Sequence, residues 1–251
     1  MSTIDPDKEL IYLSNDKLFY TVEGEGEFVG QPSVFMRLAM CNLTCKAFAS
    51  ESSPHGCDSF VSWSVKNKFT FAELKKFIES GLYVQYLKRG AILKTTGGEP
   101  LIQQKKLLKF YEYVFNEWGF VPRIDFETNA TLMPLDAWRD TFGATFTTSP
   151  KLSNNGDAED IRYKPEVIKK HVELNSGFKF VVQKREDIIE IFTKYVDPFN
   201  INPQRVWFMP CCGSRDEHIE RAPQVVEWAK EFGVNFSPRL HLLTWNMALS
   251  V

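Results

Sequence analysis

Residues 33–60 read SVFMRLAMCNLTCKAFASESSPHGCDSF, and residues 91–103 read AILKTTGGEPLIQ. The first stretch begins as a short apolar strand, 33–38, and runs into a loop carrying Cys41, Cys45 and Cys57. The second is another short strand, 91–94, running into Thr96-Gly97-Gly98-Glu99-Pro100. Thiolates are soft ligands that suit zinc or iron–sulfur clusters. Three of them can hold a cluster and leave one iron without a protein ligand, where a small molecule can bind. A structural zinc site with His55 as fourth ligand is equally open on the cysteines alone. The glycine pair separates the two. Glycines after a strand let backbone approach a ligand closely, and Pro100 sets the exit. A lone Gly-Gly would read as an ordinary turn; one strand after three cysteines it reads as part of their site.

Working outward, strands alternate with amphipathic helices. Thr70-Phe71-Ala72-Glu73 is a capping-box signature, and Phe71, Leu74, Phe77 and Ile78 then share one helical face before Gly81. Leu107, Leu108, Tyr111, Val114 and Phe115 repeat at helical spacing and Gly119 follows. A strand is expected at 123–127, a short helix at 135–139 and a strand at 144–148. The polar segment 151–175 reads as a long loop with room for one helical turn. Next come a strand at 178–182 and a helix marked by Ile188, Ile189, Phe192 and Tyr195. A strand at 205–209 precedes a helix marked by Ile219, Ala222, Val225, Val226 and Ala229. A strand-like segment, 236–245, closes the chain. This alternation predicts an α/β fold with a parallel sheet and crossover helices, either an incomplete barrel or an open doubly wound sheet. In both, active-site residues collect at the carboxyl ends of strands. The cysteine loop, the GGEP loop, Glu127-Thr128-Asn129 and Ser149-Pro150-Lys151 all follow predicted strands and so are expected on one rim.

Size and composition agree. The 251 residues are 43% hydrophobic, enough to bury a sizeable core, and one domain over 1–251 is expected. The net charge of -2 carries no electrostatic footprint for nucleic acid. No apolar run reaches the ~18 residues of a membrane span, and MSTIDPDKEL lacks the basic start and apolar stretch of a secretory signal. Five cysteines, clustered at 41–57 and 211–212, suit a metal site in a reducing cytoplasm better than a disulfide scaffold. Cys211-Cys212 read as free thiols.

Together, Cys41-Asn42-Leu43-Thr44-Cys45 and Thr96-Gly97-Gly98-Glu99-Pro100 resemble the radical S-adenosylmethionine superfamily. Tyr20-Thr21-Val22-Glu23-Gly24-Glu25-Gly26, Gly30-Gln31-Pro32-Ser33-Val34-Phe35-Met36-Arg37-Leu38 and Cys57-Asp58-Ser59 narrow the resemblance to the 7-carboxy-7-deazaguanine synthase (QueE) family. Phe178-Lys179-Phe180-Val181-Val182 and Arg239-Leu240-His241-Leu242 also look like family segments, so the likeness runs from about residue 17 to about 246. It implies a partial β/α barrel. It also implies conversion of 6-carboxy-5,6,7,8-tetrahydropterin to 7-carboxy-7-deazaguanine with loss of ammonia, in queuosine-type biosynthesis. By that resemblance Cys41, Cys45 and Cys57 hold a 4Fe–4S cluster. Gly98, Glu99, Ser149, Pro150 and Lys151 meet S-adenosylmethionine. Val22, Glu23, Gly24, Arg37 and Thr96 meet the pterin, Arg37 through its carboxylate, and Ser59 binds Mg²⁺. A planar guanidinium suits a carboxylate because it can bind both oxygens at once. The resemblance further implies an external, flavodoxin-like electron donor, a homodimer and a histidine near the substrate at His241. No catalytic side chain beyond the cluster and S-adenosylmethionine is implied. A glycyl-radical activating enzyme shares the cluster and the GGEP loop, and a zinc-stabilised binding module is a third reading.

The sequence departs from the family pattern in two places. Eleven residues, 46–56, separate the second and third cysteines where the superfamily has two. They are small and polar and are expected to bulge outward. Glu23 stands where the family has glutamine, and an ionised carboxylate only accepts hydrogen bonds.

Overall fold

The computed structural model describes residues 4–51 and 53–248; Ser52, inside the 46–56 insertion, lies outside the described residues. Nine strands form one sheet: β1 Leu10–Val22, β2 Pro32–Leu38, β3 Asn67–Thr70, β4 Ile92–Gly97, β5 Ile124–Thr128, β6 Thr145–Thr148, β7 Gly177–Val182, β8 Val206–Pro210 and β9 Asn235–Phe236. The spatial order is β3-β1-β2-β4-β5-β6-β7-β8-β9. From β2 to β9 every neighbouring pair is parallel, whereas β1 runs antiparallel to both β2 and β3. The sheet is open at β3 and β9, so the fold is the incomplete β/α barrel.

The helices form where periodicity and caps demand them. Thr70 Oγ1 accepts from the Glu73 N–H at 3.1 Å and the Glu73 carboxylate accepts from the Thr70 N–H at 2.8 Å, starting helix Phe71–Ser80. Helix Gln104–Trp118 buries Leu107, Phe110, Tyr111, Val114 and Phe115. Their aromatic neighbours meet Trp138, whose ring centroid lies 4.6 Å from that of Phe126 on β5. A second apolar cluster packs around β7 and β8, centred on Phe178, Phe180, Phe208 and Tyr195.

Two expectations fail and one feature went unforeseen, each for a physical reason. The β1–β3 hairpin edge was not foreseen, because Ser14-Asn15-Asp16-Lys17 interrupts the alternation of β1, and its register with β2 shifts between Leu13 and Leu18. Segment 151–175 is not mainly loop: helix Pro165–Glu173 opens with proline at its first turn and buries Val167, Ile168 and His171. Segment 236–245 is not a strand. β9 ends at Phe236, Pro238 removes a ladder donor, and the Leu240 N–H donates to the Gly24 carbonyl at 2.9 Å. Residues Leu240–Trp245 then form a helix that delivers Arg239 and His241 to the rim.

Candidate active site

The carboxyl ends of β2, β4, β5, β6, β7, β8 and β9 surround one cavity of about 650 Å³. Cys41, Cys45 and Cys57 all line it, as do Arg37, Ser59, Thr96, Gly98, Ser149 and Lys151.

The cysteine loop is held by strain and by close approach. Met40, at φ 76°, gives its carbonyl to the Glu99 N–H at 2.9 Å and its own N–H to the Trp63 carbonyl at 3.1 Å. Cys45 also sits in the left-handed region, at φ 51°. Such non-glycine geometry costs on the order of 1–3 kcal/mol each and persists only where neighbours over-determine it. A side chain at Gly98 would place its Cβ 2.1 Å from the Met40 carbonyl oxygen and 2.8 Å from Cys41 Cβ. Only glycine therefore lets the GGEP loop lie against the first cysteine.

The long gap before Cys57 closes on itself. Ser50 and Ser53 exchange backbone hydrogen bonds at 3.2 and 3.1 Å, and the Gly56 N–H donates to the Ser53 carbonyl at 3.0 Å. At Gly56, φ +87°, a Cβ would stand 2.5 Å from the Cys45 carbonyl oxygen and 2.7 Å from Lys46 Cα. Chain position 56 thus touches 45–46, and Cys57 returns beside Cys45 despite the insertion. The segment does bulge outward, most of its described residues being exposed, and Ala47, Phe48, Ala49, Ser50 and Ser53 also form a wall of the cavity.

Each thiol faces a side-chain N–H. Trp63 Nε1 is 3.4 Å from Cys57 Sγ, Asn155 Nδ2 is 3.6 Å from Cys45 Sγ, and Asn129 Nδ2 is 4.0 Å from Cys41 Sγ. Asp157 clamps the loop by accepting from the Cys45 N–H at 3.0 Å and the Thr44 hydroxyl at 2.6 Å. Burial pushes the Cys41 thiol up to about 12 and Cys57 up to about 11, and raises Cys45 too. The thiolate forms therefore need a cation that displaces their protons. Among the described residues no three His, Cys, Asp or Glu side chains converge tightly enough to hold a single metal ion. His55 does not line the cavity and packs its ring 4.9 Å from Phe60. The donors that do line the cavity are three thiols, soft ligands of the kind that hold an iron–sulfur cluster.

Glu99, expected to touch S-adenosylmethionine, lies fully buried and does not line the cavity. Its carboxylate accepts from the Asn129 N–H at 2.7 Å, the Thr128 hydroxyl at 2.9 Å and the Leu101 N–H at 3.0 Å. Burial pushes its carboxyl up to about 7 against the pull of these donors. Val22, Gly24 and Pro150 also fall outside the lining. Gly24 acts by what it lacks, since a Cβ there would stand 2.4 Å from His241 Nδ1.

Along the cavity wall and beneath it runs a lattice of charge. Lys94, 2% exposed, bridges Glu23 at 2.8 Å and Asp125 at 2.7 Å. Lys179, equally sequestered, bridges Glu25 and Glu127 at 2.5 Å each. Arg239 contacts Glu25 at 2.8 Å and also pairs with Asp58. Burial alone would lower both ammonium groups, but the carboxylates around them raise both. Burial would likewise raise Glu25 and Glu127, yet Lys179 and its cationic neighbours hold both well below the usual carboxylate range. Glu23 remains raised, because burial outweighs Lys94. Its Oε1 accepts from the Gly24 and Glu25 N–H groups at 2.9 and 3.2 Å, so this side chain shapes the corner before Glu25. Thr96 gives its hydroxyl proton to Glu127 at 3.0 Å, and Arg37 lies over the Phe19 ring at 5.6 Å. Ser59 donates to Asp58 at 3.1 Å, and its hydroxyl faces the cavity beside the Arg239–Asp58 pair.

Sequence reasoning gave no individual role to Trp63, Asn155, Asp157, Glu25, Lys179 or Arg239. Glu25, Lys179 and Arg239 stood within the family-like segments, and a charged residue inside the apolar run FKFVV was the available signal. Asn155 and Asp157 had none, because they lie more than 100 positions from the cysteine they support.

No protein-family model matches the chain. It is 31% identical over 233 residues to a 7-carboxy-7-deazaguanine synthase of Aquifex aeolicus, covering 90% of each chain. It is 29% identical over 235 residues to one of Pyrobaculum aerophilum, covering 92% of this chain and 94% of the other. The crystal structure of QueE from Escherichia coli superposes with a TM-score of 0.64 at 18% identity, covering 96% of this chain and all of that one, a likeness of fold. With these relatives matched over nine-tenths or more of their length and the fold shared, the chain belongs to the 7-carboxy-7-deazaguanine synthase family.

Proposed function

We propose that the protein converts 6-carboxy-5,6,7,8-tetrahydropterin to 7-carboxy-7-deazaguanine with release of ammonia, as a radical S-adenosylmethionine lyase of queuosine-type biosynthesis. One observation carries the reading: Gly56 folds the insertion back so that Cys57 rejoins Cys45, beside a GGEP loop seated on Cys41. Cys41, Cys45 and Cys57 would hold the 4Fe–4S cluster, with Gly98, Ser149 and Lys151 bordering S-adenosylmethionine. When bound, these groups would supply the radical chemistry that the conversion needs.

The chain supplies position and exclusion of water. Arg37, on β2 beside Thr96 of β4, faces the cavity with a planar cation suited to the substrate carboxylate. Glu127 and Lys179 hold their charges at the cavity wall, and Thr96 is oriented by Glu127. The Glu99 carboxyl braces the GGEP loop against β5 without entering the cavity. Glu99, Val22, Gly24 and Pro150 therefore act through the backbone they shape. Ser59, with Asp58 beside it, offers the hard oxygen ligands that Mg²⁺ prefers. The same reading carries an external flavodoxin-like electron donor, a homodimer and a cytoplasmic setting. No described helix is long and apolar enough to cross a membrane.

The test is an anaerobic assay with reductant, S-adenosylmethionine, Mg²⁺ and the pterin. The deazaguanine product is expected. A protein loaded with about four irons per chain that forms none of it overturns the reading.

A further inference from the structure

The N–H groups aimed at the cysteines are not equivalent. Asn129 Nδ2 reaches Cys41 Sγ only at 4.0 Å, the limit for a contact to sulfur, whereas Asn155 Nδ2 lies 3.6 Å from Cys45 Sγ. Trp63 Nε1, at 3.4 Å from Cys57 Sγ, has no other acceptor among the described hydrogen bonds. The indole is fixed from both sides. Its ring meets the Phe60 ring edge-on at 5.1 Å, and its backbone carbonyl accepts from the Met40 N–H at 3.1 Å. Trp63 therefore ties the segment carrying Cys57 to the residue before Cys41.

Asn155 is fixed as firmly. Its Oδ1 accepts from the Asp157 N–H at 2.9 Å and its Nδ2 donates to Asp157 Oδ2 at 2.8 Å. That network decides which face of the amide looks at Cys45 Sγ, and it is the N–H face. Asn155 is fully buried, so water does not compete for the contact.

An N–H donor to a ligating sulfur draws negative charge off it. The effect is larger for the reduced cluster, which carries one more electron, so the donor raises the reduction potential. We propose that Trp63 and Asn155 set the potential of the cluster through hydrogen bonds to the sulfurs of Cys57 and Cys45. They make it easier for one electron from an external reductant to enter. Trp63 and Asn155 are positioning residues; neither is placed against the reacting atoms. The inference rests on the cluster reading above.

The experiment is an anaerobic redox titration of reconstituted protein, followed by the electron paramagnetic resonance of the reduced cluster with dithionite as reductant. Trp63→Phe keeps an aromatic ring and removes the N–H. At the wild-type midpoint its reduced-to-oxidised ratio should fall about tenfold, which for one electron is a shift of about 59 mV to more negative potential. Asn155→Ala should move the potential in the same direction. An unchanged midpoint in an iron-replete Trp63→Phe protein overturns the proposal while leaving the proposed function intact. Should that variant fail to keep its iron, the unsubstituted holoprotein carrying isotope-labelled indole nitrogen decides. A magnetic coupling of that nitrogen to the reduced cluster supports the proposal, and its absence overturns it. A wild-type protein that takes up no iron overturns the cluster reading and this inference together.

Discussion

Two parts of the cavity wall are built on opposite principles. The cysteine end is held by neutral hydrogen bonds, close backbone contacts and left-handed residues, with Asp157 as its one ionised clamp. The other part is an alternating lattice of ions, Glu23–Lys94–Asp125 and Glu127–Lys179–Glu25–Arg239–Asp58, largely buried but ending at the exposed Asp58 beside Cys57. A ligand set that must bind an incoming cationic group gains from carrying few fixed cations, and here Lys151 is the cation that acts on Cys45. A wall that must present charge to a polar substrate gains from carboxylates and cations already fixed, because little reorganisation is then left for the bound state. Buried ion pairs contribute little net stability, but breaking one leaves a costly unpaired charge.

Four variants test this contrast, beginning with the largest effect. Cys57→Ala should remove both the cluster and turnover, read by iron content and product formation. Retention of either means that Cys57 is not the third ligand. Lys179→Met should destabilise the protein by about 3–5 kcal/mol, since Glu25 and Glu127 would both lose their main buried partner. Chemical denaturation measures it, and a loss below about 1 kcal/mol would mean that the lattice is far more hydrated than its burial implies.

The third variant concerns pH at the cysteine end. The Glu99 carboxyl titrates in the folded protein at about 7, above its ordinary value of 4.5. Between those values the folded state holds a proton that the unfolded state has released. The contribution is therefore fully present below 4.5 and is lost as pH rises through about 7, an amplitude of roughly 3 kcal/mol. Glu99→Gln should remove that slope from a series of denaturation curves in the cluster-free protein. A slope identical to wild type would show that Glu99 is already ionised. The smallest effect is expected from Gly56→Ala, at about 1–3 kcal/mol, because its Cβ collides with the Cys45 carbonyl. Its signature should be faster iron loss than wild type, and a variant that holds iron equally well would show that the insertion does not depend on this closure.

Legibility in the sequence followed the range of the forces involved. The capping box at Thr70–Glu73, the apolar stripe of helix Gln104–Trp118 and the strands around 92–97 and 177–182 are local patterns, and they stand where expected. β1 was illegible because a register shift breaks its alternation, and the tail because a contact to Gly24 draws it off the sheet. At the site, Cys41, Cys45, Cys57, Arg37, Ser59, Thr96, Gly98, Ser149 and Lys151 do meet in one cavity. The place of Glu99 in the GGEP motif does not reveal that its carboxylate turns to Thr128 and Asn129.

The three thiols, the GGEP turn and most of the strand–helix alternation between Thr70 and Phe232 were determined by the sequence alone, since each depends on residue type within a few positions. Whether an eleven-residue gap would separate Cys57 from Cys45 was decided only in three dimensions, by a glycine that lets chain position 56 rest on position 45. The same holds for the charge lattice: Glu25, Lys179 and Arg239 are 60 to 214 positions apart and acquire their partners only when strands β7 and β9 bring them to one rim. Burial then sets their ionisation, and burial is a property of the packed molecule.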